Sequence, residues 1–461
     1  MAASSAGRQP VLVGNGQGFW GDSVLGPVRL VNEGPLHYLT LDYLAEVTMS
    51  IMQKQRARNP KAGYATDFVK MVERVLPRCI DQGIKIIANA GGVNAPACAD
   101  AVAEVARKLG VSVRIAIVEG DDIMGQLDEL MAGGEEFRNL DNDEPLKNHL
   151  DKLQSANVYL GAQPIVDALS QGADIVITGR CTDPSLVVAP LMYEFGWDIN
   201  DYDKIAAGTV AGHILECGTQ STGGNFDGWR DVPDMAHIGY PVCEAYPDGS
   251  FVITKQEGTG GLVSTDTVTA QLLYELGDPK AYLTPDVTAD FSTIELEQEG
   301  PNRVRVHGIK GHKPTPTYKV SMSYTDGYKI LGDLTVTGPD AAEKARFTAE
   351  LLFARLEMDG TVYEDSQKTI EIVGTNTACF PGMIAPADTA EVVMRVGVRE
   401  YDKRKADRFG GELASLLLSG PPGITGFAAG RPRATEIIGY WPALLTKEKA
   451  SGSVNITEVK A

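Results

Sequence analysis

The stretch Ala173–Pro184, ADIVITGRCTDP, decides how the chain is read. Ile175, Val176 and Ile177, with Ala173 beside them, are apolar without alternation, and the run stops at Gly179. A strand covered on both faces has this pattern, and such strands belong to parallel sheets between helices. Directly after it stand Arg180, Cys181, Thr182 and Asp183, then Pro184 where a helix would begin. In open α/β sheets, ligands bind beyond the carboxyl ends of the strands. A cation, a thiol, a hydroxyl and a carboxylate leave this strand end together, which marks one wall of a candidate site.

Three other stretches repeat the pattern. PVLVG (10–14) runs into GNGQG (14–18), IKIIA (84–88) into NAGGVN (89–94), and Val111–Val118 into EGDD (119–122). A single polar strand end is ordinary, because loops are solvated. Four such ends, each with glycine to permit close approach, predict one shared cleft lined by Asn89, Asp121, Arg180 and Asp183. Helical spacing fills the intervals: Tyr64–Gln82 before Gly83, Pro96–Leu109 before Gly110, Gln163–Gln171, and Asp201–Cys217. Pro241–Ile253 reads as a hairpin through Pro247-Asp248-Gly249.

With 461 residues, two domains are expected, and 43% hydrophobic content supports packed cores. Composition shifts to Pro, Asp, Glu and Thr over Pro279–Asn302, so the boundary is placed at residue 300. Residues 1–300 form an α/β domain with a mostly parallel sheet. Residues 301–461 form a smaller α+β domain whose order, strand, helix, two strands, helix, strand, is ferredoxin-like. Two strands are expected over 317–324 and 328–337, turning at Asp326-Gly327.

The chain carries 61 acidic and 42 basic side chains, a net charge of -19, which disfavours nucleic acid and anionic membrane as partners. No run approaches the roughly 18 apolar residues of a membrane-spanning helix. MAASSAGRQP reads as a short disordered leader. The six scattered cysteines, with no CxxC pair, fit free thiols in a reducing, cytoplasmic setting.

Each motif has a chemical reading and a plainer one. Gly14, Gly16 and Gly18 make a strand-to-helix turn whose amides could face a phosphate, or simply a tight turn. The third glycine comes one residue early for a dinucleotide fingerprint, so neither NAD nor flavin is expected. Asp121 and Asp122 are candidate divalent-cation ligands or a general base, or else a helix cap. His213 and Glu216, three apart on one helical face, are a candidate acid–base or metal pair, or a packed histidine with its partner. Arg180 with Asp183 suits a clamp for a substrate carboxylate, or an internal ion pair. Asn89, Asn94, Lys255 and Gly260 are further candidates for substrate contact. Cys181 reads as a packed thiol, with no histidine near it in sequence.

The longer motifs GNGQGFWGD (14–22), LDYLAE (41–46), IIANAGGVNAPAC (86–98), VEGDD (118–122), ADIVITGRCTDPSL (173–186), GHILECGTQSTGG (212–224), ITKQEGTGGLV (253–263) and QLLYE (271–275) together resemble the AtuA family, named for acyclic terpene utilisation. The resemblance covers about Gly14–Lys319. It implies a setting in the breakdown of branched isoprenoid acids through coenzyme A thioesters. Some members of that family carry a further ferredoxin-like module of about 100 residues or meet it as a separate small protein. If 300–461 belongs to the main body, this chain has no room for that extra module.

These readings lead to a catabolic enzyme for a small branched or hydroxylated carboxylic acid, or its coenzyme A thioester. Lyase or hydratase chemistry is expected, with His213, Glu216 and Asp183 catalytic. The competing expectation is a non-catalytic acyl-CoA or nucleotide-binding subunit working with a small partner protein. Self-association is expected from an apolar strand at 390–398 that would otherwise leave an open edge.

Overall fold

The computed structural model describes residues 9–375, 389–426 and 430–460. Cys379 and most of the expected leader lie outside the described residues. The chain divides into two compact units, residues 1–323 with 440–461, and residues 324–439.

In the first unit, β1 (Val11–Asn15), β2 (Tyr38–Leu41), β3 (Lys85–Ala88) and β4 (Val113–Glu119) alternate with α1 (Leu25–Glu33), α2 (Glu46–Arg58), α3 (Thr66–Gln82) and α4 (Ala95–Leu109). Then come α5 (Leu127–Ala132), β5 (Leu153–Val158), α6 (Gln163–Ser170), β6 (Ile175–Thr178), α7 (Ser185–Phe195) and α8 (Tyr202–Glu216). The hairpin of β7 (Pro241–Ala245) and β8 (Phe251–Lys255) is followed by α9 (Thr265–Leu273) and five short strands. These are β9 (Tyr282–Leu283), β10 (Thr288–Asp290), β11 (Glu295–Gly300), β12 (Arg303–His307) and β13 (Lys310–His312).

The main sheet has ten strands in the order β11-β12-β8-β7-β1-β2-β3-β6-β4 and a last strand, Ser453–Val459, on the far edge. β1, β2, β3, β6 and β4 pair in parallel. The remaining pairings in this sheet are antiparallel. The sheet is therefore mixed, with a parallel centre, and not mostly parallel. Hairpins account for two of the antiparallel pairings, β7–β8 and β11–β12, since strands joined by a short turn must run in opposite directions. The pairings of β1 with β7, β8 with β12 and β4 with Ser453–Val459 join strands far apart in the chain. The β7–β8 turn is closed by Tyr246 N donating to Ser250 O at 2.9 Å.

β2 and β6 are buried at every position, and β3 at all but its first. The apolar runs of β3 and β6 fit because helices cover both faces. α3 shows how the cover forms. Phe68, Met71, Val72, Val75, Leu76 and Cys79 recur at helical spacing and are buried, and Gly83 ends the helix at φ 71°.

The boundary at residue 300 is not where the chain divides. Pro279–Asn302 marked the boundary by its polar composition, but it supplies β9 and β10 of a three-stranded sheet and the edge strand β11. β11, ELEQEG, is charged because an exposed sheet edge is protected from pairing by charge. The chain enters the second unit within β14 (Thr317–Thr337), one continuous strand in which Gly327, at φ 84°, makes no reversal.

The second unit adds α10 (Ala341–Met358), β15 (Lys368–Val373), β16 (Glu391–Glu400), α11 (Lys403–Ser419) and β17 (Ile424–Thr425). The chain leaves this unit within β18 (Thr435–Thr446), and β19 (Ser453–Val459) then pairs with β4. β16 lies between β15 and β14, so it is an interior strand. The open edge that was the ground for expecting self-association does not exist there. Leu334, Met394, Val396, Leu352, Phe409 and Leu413 are among the residues of this unit's own core.

Candidate functional site

The carboxyl ends of the parallel strands come together, but their polar residues form two layers. Asp121, just beyond β4, accepts from the Arg180 amide at 2.8 Å and from Asn157 Nδ2 at 2.9 Å. Gly179 is required here, since a Cβ on it would lie 2.2 Å from Asp121 Oδ1. Asn89, beyond β3, donates to Asp42 Oδ1 at 2.7 Å and accepts from the Tyr43 amide at 2.7 Å. Asn89 and Asp121 thus brace the loops from beneath. They do not line the cleft expected of them.

Arg180 is only 2% exposed. Its guanidinium donates to the Leu44 carbonyl and, at 2.8 Å, to Asp183 Oδ1, and lies 4.1 Å from the centre of the Tyr159 ring. Its Nε has no hydrogen-bond partner among the described residues. Stacking and two directed bonds fix the plane of the cation.

α8 delivers the other half of the site. Asn15 Nδ2 donates to the Leu215 and Glu216 carbonyls, at 2.7 and 3.2 Å, tying the end of α8 to the end of β1. His213 Nδ1 lies 2.9 Å from Glu216 Oε1, as the spacing on one helical face predicts. The His213 ring is buried against Tyr282 and Phe291, at centroid distances of 5.3 and 5.4 Å. Glu216 Oε2 has no partner among the described residues.

Two cavities share the wall formed by Glu46, Arg180 and Asp183. One, of about 440 Å³, is acidic: Asp22, Asp42, Glu216 and Glu275 join the wall, with Gly18 and Cys217. The other, of about 390 Å³, is lined by Tyr159, Tyr282, Leu283, Lys319 and Leu444 among others.

Burial sets the charge states. Glu216 is pushed up to about 7 by burial, with the His213 ring working against the shift and Asp183 adding to it. Burial alone would lower His213, but the Glu216 carboxylate beside it leaves the ring above its ordinary value. Asp42 is raised by burial and by the Asp183 carboxylate, against the pull of Arg180. Asp183 is raised by burial, again against Arg180. Burial opposes ionisation of Glu46 too, but its own backbone amide, Arg180 and Lys319 leave it lowered. The acidic cavity therefore holds protons near neutral pH as well as charge.

Several candidates from the sequence lie elsewhere. Asn94 caps α4, accepting from Ala97 N at 3.4 Å and donating to the Pro60 and Ala62 carbonyls. Lys255 donates to the Thr259 carbonyl at 2.6 Å and closes its own turn. Gly260 is needed for packing, because a Cβ would meet the Asp234 carbonyl at 2.0 Å. Gly14 lies within β1, under Leu30 and Leu36. The Gly16 and Gly18 amides are taken by the Thr40 carbonyl and Asp22 Oδ2, so an anion would meet a carboxylate in its place. Asp122 turns to the Met124 amide and lies 3.9 Å from Arg56, apart from buried Asp121. Among the described residues, no three His, Cys, Asp or Glu side chains converge to hold a metal ion. Cys181 is packed, its thiol pushed up to about 12 by burial.

His213 lines neither cavity and reaches the acidic one only through Glu216. Asp42, Glu46, Tyr159, Tyr282 and Lys319 line the cavities without having been singled out by spacing. Asp42 and Glu46 stand in LDYLAE, which carried the family resemblance but no chemical pattern. Among the described residues, no helix is long and apolar enough to cross a membrane.

A model of the family described as Acyclic terpene utilisation family protein AtuA matches residues 11–456, well beyond the stretch whose motifs carried the resemblance. No curated protein and no solved structure matches the chain. With nearly its whole length covered, the chain belongs to the acyclic terpene utilisation family AtuA.

Proposed function

We propose that the chain is a catabolic enzyme acting on a branched or hydroxylated carboxylic acid, or its coenzyme A thioester, by lyase or hydratase chemistry. The family places it in acyclic terpene utilisation, a catabolic role. The observation that carries the reading is Glu216. It is a buried carboxyl with a free Oε2, titrating about 7, on the cavity that also holds Arg180. A general acid or base works best with a value near the operating pH.

On this reading, the Arg180 guanidinium binds the carboxylate or polarises the thioester carbonyl, so that charge developing on that oxygen meets a fixed cation. Glu216 moves the proton, at Oε2, to or from the carbon or hydroxyl of the substrate. His213 is a positioning residue that holds Oε1 and exchanges the proton with it. Asp183 orients Arg180 through its 2.8 Å bond and offers a second carboxyl to the same cavity.

The test is turnover of a panel of branched acids, hydroxy acids and their coenzyme A thioesters by the full chain. Glu216→Gln and His213→Gln are run beside it with their melting temperatures. Turnover that falls about 100-fold in Glu216→Gln, with folding kept, supports the reading. Unchanged turnover in both variants refutes it.

A further inference from the structure

In the second unit, β15 stands at the end of the order β15-β16-β14-β17, and β16 is its one neighbouring strand among the described residues. In an antiparallel ladder, alternate residues bond the neighbour and the others turn N–H and C=O the opposite way. Residues 368–371 therefore present backbone donors and acceptors along an open side. Natural sheet edges are protected by charge. β11, ELEQEG, has glutamate at alternate positions. β15, KTIEIV, sets Glu371 between two isoleucines, and Ile370 is 45% exposed.

A cavity of about 540 Å³ lies beside this edge, within the roughly 300–1,000 Å³ of ligand pockets. Lys368 and Ile370 line it, on the face of β15 whose Ile372 joins the core. The rings of Phe353, from α10, and Tyr363 line it as well, with centroids 6.5 Å apart, and Val362 beside them is 52% exposed. One ammonium is already seated there: Lys368 Nζ lies 2.9 Å from Asp365 Oδ1 and 5.2 Å from the centre of the Phe353 ring. A cation at this place meets an aromatic face and a carboxylate together. Against that ammonium stand the carboxylates of Glu350, Glu357, Glu364 and Asp365. The cavity is therefore negative, apolar and open to a backbone edge.

We propose that β15 takes up, by strand addition, an extended segment of a partner protein in which apolar and basic side chains share one face. Backbone hydrogen bonds along residues 368–371 hold it. Every second side chain then projects on the side of Lys368 and Ile370, over the cavity. Apolar side chains cover Ile370 and Val362, and lysine or arginine meets Glu350 and Glu357. A second copy of this chain is the wrong occupant. Symmetric antiparallel pairing of β15 sets both cavities on one side of the joined sheet, acid beside acid, and the copy's Lys368 is held by its own Asp365.

The experiment is fluorescence anisotropy of a labelled synthetic peptide with the full chain. The peptide has about eight residues, threonine alternating with valine and lysine in turn, so that valine and lysine share a face. Binding is expected, weakened about tenfold when glutamate replaces lysine in the peptide, or when Glu350→Lys and Glu357→Lys are combined in the protein. Both positions are exposed, and a melting temperature checks that the variant folds. Methylating alternate backbone nitrogens of the peptide, in one phase or the other, should abolish binding with the protein unaltered. No binding, equal binding of the lysine and glutamate peptides, or full binding by both methylated peptides overturns the proposal. Unchanged affinity in the folded double variant overturns it too. A light-scattering mass of two chains without peptide, lost in Ile370→Glu, gives the edge to a second copy and likewise overturns it.

Discussion

Glu216→Gln gives the sharpest test of how the acidic cavity is charged. Burial moves this carboxyl from an ordinary 4.5 to about 7, which corresponds to about 3 kcal/mol of folding free energy. Because the folded value is raised, the stabilising contribution is fully present below pH 4.5 and is lost as pH rises through 7. His213, also raised, has the same sign. The native protein should therefore weaken between pH 4.5 and about pH 8 by up to about 3 kcal/mol through this pair. Glutamine keeps a polar atom for His213 but cannot ionise. With Glu216 unable to ionise, the variant should weaken less than the native protein between pH 4.5 and about pH 8, by up to that amount. Urea unfolding at both pH values measures the difference. Identical pH dependence in the two proteins would show that Glu216 is not shifted by burial, and the argument for it as the proton-transfer group would fail.

Asn89→Ala should cost about 1–3 kcal/mol, because the buried Tyr43 amide loses its acceptor. Turnover should also fall, because Asp42 loses its brace; a normal rate would separate Asn89 from the site. Gly179→Ala places a methyl against the Asp121 carboxylate and should cost about 1–3 kcal/mol in thermal unfolding. Asn94→Ala should lose about 1 kcal/mol of stability from the α4 cap with substrate affinity unchanged. Weakened affinity in that variant would return Asn94 to the site.

Much of the first unit was legible because local chemistry and global packing agree there. Strands buried on both faces lose alternation, and IKIIA and DIVIT say so on their own. Gly83 and Gly110 end their helices because left-handed backbone favours glycine. The His213–Glu216 pair was readable for a similar reason: three residues on a helix is a fixed geometry. Sequence also showed that the four polar strand ends gather at one end of the sheet, since parallel strands all finish on one side.

Depth was not readable. Asn89 and Asp121 leave their strands as Arg180 does, yet only contacts with Asp42, Tyr43 and Asn157 decide that they support the wall and do not form it. Lys255 stands among glycines as a ligand-binding lysine would, but its ammonium is spent on Thr259. The same limit hid the edge strand β11, whose charged residues blur the strand pattern, and β19, which reaches β4 across more than 300 residues of chain. Tyr159, Lys319, Leu283 and Leu444 have no spacing in common. Local sequence determines what a segment can form, through backbone sterics and side-chain periodicity. Which side chains share a cavity, and whether a carboxyl there keeps its proton, depends on burial between distant segments, and only the tertiary structure decides it.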